Sequence, residues 1–247
     1  MKIKLLSICA LTFGLITYNY ASKTTMTINT NNIQKASYIT MESKQGSAAN
    51  FEDFLKNGAQ LVRQTEPNTA LWFALKKEDN HLAIFDVFFN EKGREEHFAG
   101  QVANALKENA SQFVEGGWEQ GVLLNVSNYD VIASNNFHLD TVLTTKHASY
   151  IVFKAKPGKS HKLELLLKEG SQLINKTEPK TYFWVALKTD KDTYAIFDAF
   201  PDKAAQKAHF AGQVASALQK NAEHLIAGGW EKGVLAHVHN FQIIASS

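Results

Sequence analysis

The sequence predicts an α+β protein: two tandem units of one fold, their sheets packed together within one chain as a pseudo-dimeric α+β barrel. Three observations lead there. Slid against itself by 112 positions, the chain aligns without a gap from Ala36 over Ala148 to Ser134 over Ser246, and 48 of these 99 positions are identical. Within each copy the hydrophobic period switches between helical and extended in the same order. The extended runs are apolar on both faces, so helices on one side leave the other side still to be covered.

The elements follow from local pattern. Tyr38 to Lys44 is a short extended run. Gly46–Ser47 then opens a helix in which Phe51, Phe54, Leu55, Gly58, Leu61 and Val62 recur at steps of three and four. Leu163, Leu166, Leu167, Gly170, Leu173 and Ile174 repeat that stripe, and Pro67 or Pro179 stops the helix. Two strands follow, Ala70 to Lys76 and Leu82 to Phe89, joined by the polar turn Lys77 to His81. A second helix carries Phe98, Val102, Leu106, Ala110 and Phe113 on one face; Gly116–Gly117 ends it, and a last strand runs from Val122 to Ala133. Strand, helix, two strands, helix, strand is a ferredoxin-like arrangement.

The faces of the hairpin decide the architecture. Leu71, Phe73 and Leu75 oppose Trp72 and Ala74; Ala83, Phe85 and Val87 oppose Ile84, Asp86 and Phe88. The second copy supplies a matching apolar sheet in the same chain, and closing the two together gives eight strands. A repeat of this length is too long for a solenoid unit, so each copy is a whole fold. The expected organisation is a signal peptide at 1–21, a polar connector at 22–35, units at 36–134 and 148–246, and a linker at 135–147.

Composition fits a globular chain, with 45% hydrophobic and 20% charged residues. Lys2 and Lys4 precede the uncharged run Leu5 to Tyr18, which is shorter than the ~20 residues of a membrane span. That layout predicts export to the periplasm or outside, with no membrane anchor after cleavage. Cutting after Ala21 removes both lysines, and +2 − 2 leaves a net charge of zero. A nucleic-acid partner is therefore not expected. The single cysteine, Cys9, lies in the apolar run, so thiol chemistry and disulfides are not expected in the mature chain.

The Thr-Glu-Pro exit (Thr65 to Pro67; Thr177 to Pro179), the hairpin with Trp72 or Trp184, Ala-Ile-Phe-Asp (Ala83 to Asp86; Ala195 to Asp198) and the helix bearing His97 or His209 are written in both copies. These residues resemble the antibiotic biosynthesis monooxygenase domain, including quinol monooxygenases, and the resemblance covers nearly all of both copies. It implies a dimeric α+β barrel fused into one chain. It further implies oxidation of a small phenolic or quinol substrate by dioxygen, with no metal or other cofactor, in a pocket between sheet and helices. The alternative is a ligand-binding or structural module of the same fold, because fold does not fix function.

Such chemistry needs a proton acceptor and an apolar cavity. His97 and His209 are the only histidines in equivalent positions of both copies, either as catalytic acid/base groups or as helix-flank residues bonding a carbonyl. Gln101 and Gln213 lie one helical turn on, so they face the same way and are candidate substrate-binding residues. Asp86 and Asp198, inside apolar strands, require partners; they orient the histidine or bond local backbone. Trp72 and Trp184 are pocket-wall candidates as well as core candidates, with Trp118 and Trp230 at the mouth. Tyr38 and Tyr150 could donate to a phenolate. Glu66 and Glu178, before proline, read as helix-terminal structural residues. Haem is not expected, since Thr40, Val152, Ala105 and Ala217 stand where the haem-degrading relatives carry their Asn and His. His237 and His239 face Asn125 and Ser127 in the other copy and read as surface residues.

Overall fold

The computed structural model describes residues 32–77 and 80–247. The expected signal peptide and the connector up to residue 31 lie outside the described residues. The first half runs β1 (Lys35–Glu42), α1 (Ala48–Thr65), β2 (Thr69–Lys76), β3 (His81–Phe88), α2 (Glu91–Phe98), α3 (Gln101–Phe113) and β4 (Val126–Ser134). A short helix, α4 (Leu139–Val142), precedes the second half. There β5 (His147–Lys154), α5 (Ser160–Thr177), β6 (Phe183–Lys188), β7 (Thr193–Phe200), α6 (Lys203–Phe210), α7 (Gln213–Leu225), α8 (Gly229–Gly233) and β8 (Val238–Ser246) follow.

The eight strands close a barrel in the order β1-β3-β2-β8-β5-β7-β6-β4, every pair antiparallel. The two four-stranded sheets are thus hydrogen-bonded to each other at both edges, β2 to β8 and β4 to β6, and closure leaves no unpaired strand edge. Register shifts at Ala74/Leu75 and Val131/Ala133 fall at these two seams, where an extra residue bends a strand into the curve.

Alternation along the strands sorts the side chains into three cores. Leu71, Phe73, Leu75, Phe85 and Val87 fill the barrel with Phe183, Val185, Leu187 and Phe197. Phe85 and Phe197 stack at 3.8 Å, and Tyr38 and Tyr150 at 3.9 Å, so rings from the two halves meet directly. Trp72, Ala74 and Ile84 point outward under α1 and α3; Trp184, Ala186 and Ile196 do the same under α5 and α7.

Two expectations need correction. The helix expected through Phe98 to Phe113 is broken at Ala99–Gly100 into α2 and α3, for a reason given below. The strand expected from Val122 starts only at Val126, because a π-helical turn over Gly117–Val122 and a 3-10 turn over Leu123–Asn125 come first. Gly116 and Gly117 have φ of 75° and 61°, and a Cβ on Gly121 would lie 2.0 Å from the Glu115 carbonyl, so the chain can double back there only on glycine. The segment expected to link the copies packs on the barrel. Phe137 and Val142 are buried against the barrel core, and Asn135 both donates to the Thr181 carbonyl and accepts the Trp184 N–H.

Candidate functional site

Each half holds a histidine between two carboxylates, in the layer where helices meet the outer face of the sheet. Glu66 caps the C-terminus of α1, held by its N–H to the Val62 carbonyl. Asp86 projects from β3 on the same face as Trp72, its neighbour in register on β2. His97 comes from the last turn of α2. Its Nδ1 lies 2.5 Å from Glu66 Oε2 and its Nε2 3.5 Å from Asp86 Oδ2. In the second half His209 lies 2.5 Å from Glu178 and 3.3 Å from Asp198, with Trp184 opposite Asp198. The glutamate contact is a charge-assisted hydrogen bond, whereas the aspartate contact is a longer ion pair.

The helix break belongs to this cluster. Gly100 and Gly212 start α3 and α7, and a Cβ on either would stand 2.8 or 2.6 Å from the glutamate Oε1. Glycine therefore lets the carboxylate reach the histidine past the start of the next helix. In the second half the Val214 N–H also donates to Glu178, at 3.4 Å.

The two carboxylates set the charge on the ring. Burial works against an imidazolium, but Asp198 and Glu178 outweigh it and push His209 up to about 9; Asp86 and Glu66 raise His97 in the same way. Burial drives Asp86 up to about 7, Glu66 adding to the shift and His97 opposing it. Nδ1 of each ring is bonded to the glutamate, and Nε2 stands 3.5 Å from Asp86 or 3.3 Å from Asp198. In each half the two carboxylates hold a buried positive charge in place on the ring.

No family model and no curated sequence matches the chain. Among solved structures it is similar to a candidate monooxygenase from Fusobacterium nucleatum, with a TM-score of 0.69, 14% identity, and coverage of 85% of this chain and 91% of that one. A candidate monooxygenase from Lactobacillus acidophilus follows at TM-score 0.67 and 9% identity, covering 87% and 96%. An anthrone oxidase-like protein stands at TM-score 0.57 and 9% identity, covering 87% and 93%. The chain shares the ferredoxin-like α+β barrel fold of these structures.

The remaining expected site residues divide by face. Gln101 and Gln213, exposed, border the same surface clefts as His97 and His209, though across the helix break rather than along one helix. Tyr38 and Tyr150 are on the opposite side of the sheet, inside the barrel, where Tyr150 also contacts the Tyr129 hydroxyl at 2.5 Å. The structure therefore separates them from the histidines. Trp72 and Trp184 are fully buried beside the aspartates, and among the described residues neither indole N–H has a hydrogen-bond partner.

Trp184 also lines an apolar cleft of about 90 Å³ between α5, α7 and the sheet, with Leu166, Leu173, Ile196, Val214 and Leu218. Aligned residues differ around it. Phe54 in the first half packs at 5.5 Å on Phe113 and 6.3 Å on Phe51, and leucines replace all three rings in the second half. Glu169, exposed, is the cleft's one titratable lining residue. Reasoning from positions shared by both copies passed over it, because Asn57 is its counterpart. Among the described residues no group of three or more His, Cys, Asp or Glu side chains converges as a metal site.

Proposed function

We propose that the protein is a monooxygenase-like enzyme that takes one small phenolic or quinol ring into the second-half cleft and lets it react there with dioxygen. The observation that carries this reading is the apolar cleft on Trp184, whose buried indole N–H lacks a partner. A cleft of this size, well below the ~300–1,000 Å³ of sites for larger ligands, suits a single ring entering from an open side. Glu169 at the mouth would accept the phenolic proton, and Trp184 would form the apolar wall. Atoms and electrons balance without an added reductant. A hydroquinone and dioxygen give a hydroxyquinone and water, all four electrons coming from the ring.

Binding without turnover is the second reading. It is favoured by the cleft lining, among whose residues neither His209 nor Asp198 is found. Oxygen uptake with a panel of hydroquinones, beside equilibrium binding of the same compounds, separates the two. Uptake that disappears in Leu166→Phe, which restores the first half's ring, supports the enzyme. Binding that disappears in the same variant with no uptake in the wild type supports the module, and absence of both refutes the proposal. The charged-then-apolar N-terminal segment supports export in either case, and a mature protein beginning after Ala21 is the outcome expected from N-terminal sequencing.

A further inference from the structure

The barrel's two seams are related by the 112-residue offset but differ in charge. Around the β4–β6 seam Lys35 is held by Asp130 at 2.6 Å and Glu91 at 3.3 Å, and Arg94 is held by Glu91 at 2.6 Å. Every cation there has a carboxylate. At the β2–β8 seam the equivalent positions carry His147 for Lys35, Gln242 for Asp130, Lys203 for Glu91 and Gln206 for Arg94, while Lys77 replaces Thr189. Both carboxylates are replaced, and one of them by a lysine.

These residues line an open cleft of about 290 Å³ together with Lys76, Asn240 and Phe241. Among the described residues, Lys76 is the one lysine of the cleft with an ion pair, to Glu52 at 2.6 Å. Lys77 meets His239 Nδ1 at 3.5 Å, and Lys203 stands in the first turn of α6. Burial and then the Lys203 charge hold the His147 imidazole below its usual range, with Asp202 acting the other way; burial, Lys77 and His237 lower His239. Asp202 itself caps α6 by accepting the Ala205 N–H.

The geometry points to an anion site at the β2–β8 seam, taking a small molecule that carries a carboxylate or phosphate group between Lys77 and Lys203. Clefts with one sign of charge concentrate counter-ions of the other, and this one has lost the carboxylates that occupy the related seam. The site is separate from the Trp184 cleft and does not depend on what that cleft binds.

The test is a titration of the full chain with inorganic phosphate, and separately with acetate, at low ionic strength, followed by amide NMR shifts. The expected result is saturable binding at one site, with the largest shifts around Lys77 and Lys203; the stronger of the two anions identifies the headgroup. Lys203→Glu with Gln242→Asp writes the first seam's charge pattern into the second and should weaken binding by about tenfold or more. Lys77→Gln with Lys203→Gln, a milder change at exposed positions, should weaken it as well, whereas Asp130→Asn should leave this site unchanged. Shifts that never saturate for either anion, or an affinity unaltered in both double variants, would overturn the assignment.

Discussion

His209 shows how a single buried side chain ties stability to pH. Its folded value near 9 lies above the ordinary 6.5, so the native state holds a proton that the unfolded chain releases first. The contribution is fully present below pH 6.5 and is lost as pH rises toward 9, up to on the order of 3 kcal/mol. Asp86, raised from 3.8 to about 7, acts in the same direction over the lower window, since the unfolded chain ionises there before the native one. Thermal melts between pH 6 and 9.5 should therefore show a midpoint falling with pH. His209→Gln should flatten the upper part of that slope while lowering stability by about 3–5 kcal/mol at pH 6, because it leaves two buried carboxylates without their cation. A slope unchanged in the variant would show that the ring is not the titrating group. At this scale the sequence was half legible. Asp86 and His97 stood out as a polar residue in an apolar strand and a histidine common to both copies. Glu66 was read as a helix end because nothing in a separation of 31 residues reveals a contact.

Glycine decides the shape of the helical layer. A Cβ on Gly212 would stand 2.6 Å from Glu178 Oε1 and 2.9 Å from the His209 carbonyl, so Gly212→Ala must either displace the carboxylate or move the start of α7. A loss of about 1–3 kcal/mol is expected in denaturant melts, with the His209 imidazole resonances shifted in NMR spectra. Gly233→Ala should be worse, since its Cβ would lie 2.3 Å from the Ala227 carbonyl, a backbone atom that cannot turn aside. The helical period read across Phe98, Val102 and Leu106 was correct in its buried face and blind to the break. The two residues at the break, Ala99 and Gly100, do not interrupt the stripe, and the carboxylate that needs the gap comes from α1. Likewise the Gly116–Gly117 pair marked an end correctly, but the π-helical turn after it depends on the chain doubling back over Gly121.

The barrel was the most legible feature of the whole molecule, because an apolar alternation on both faces of a strand demands two coverings, and a second copy was present to provide one. What patterning could not give was the manner of joining, since hydrogen bonds between β2 and β8 or β4 and β6 link residues with no shared motif. Phe85 stacks on Phe197 across the barrel at 3.8 Å and is fully buried, so Phe85→Ala should cost about 3–5 kcal/mol and unfold both halves in one transition. Two separate transitions would mean that the halves do not share a core. The asymmetry proposed for the halves was the least legible feature, since it rests on leucines replacing phenylalanines, a change that patterning treats as silent.

That asymmetry can be observed directly. The chain has four tryptophans, and ¹⁵N spectra give each indole N–H its own resonance. On titration with hydroquinone under nitrogen, the Trp184 indole signal should move and saturate while that of Trp72 stays still, and Leu166→Phe should abolish the shift. Equal movement of both signals, or none at Trp184, would contradict a ring-binding cleft in the second half.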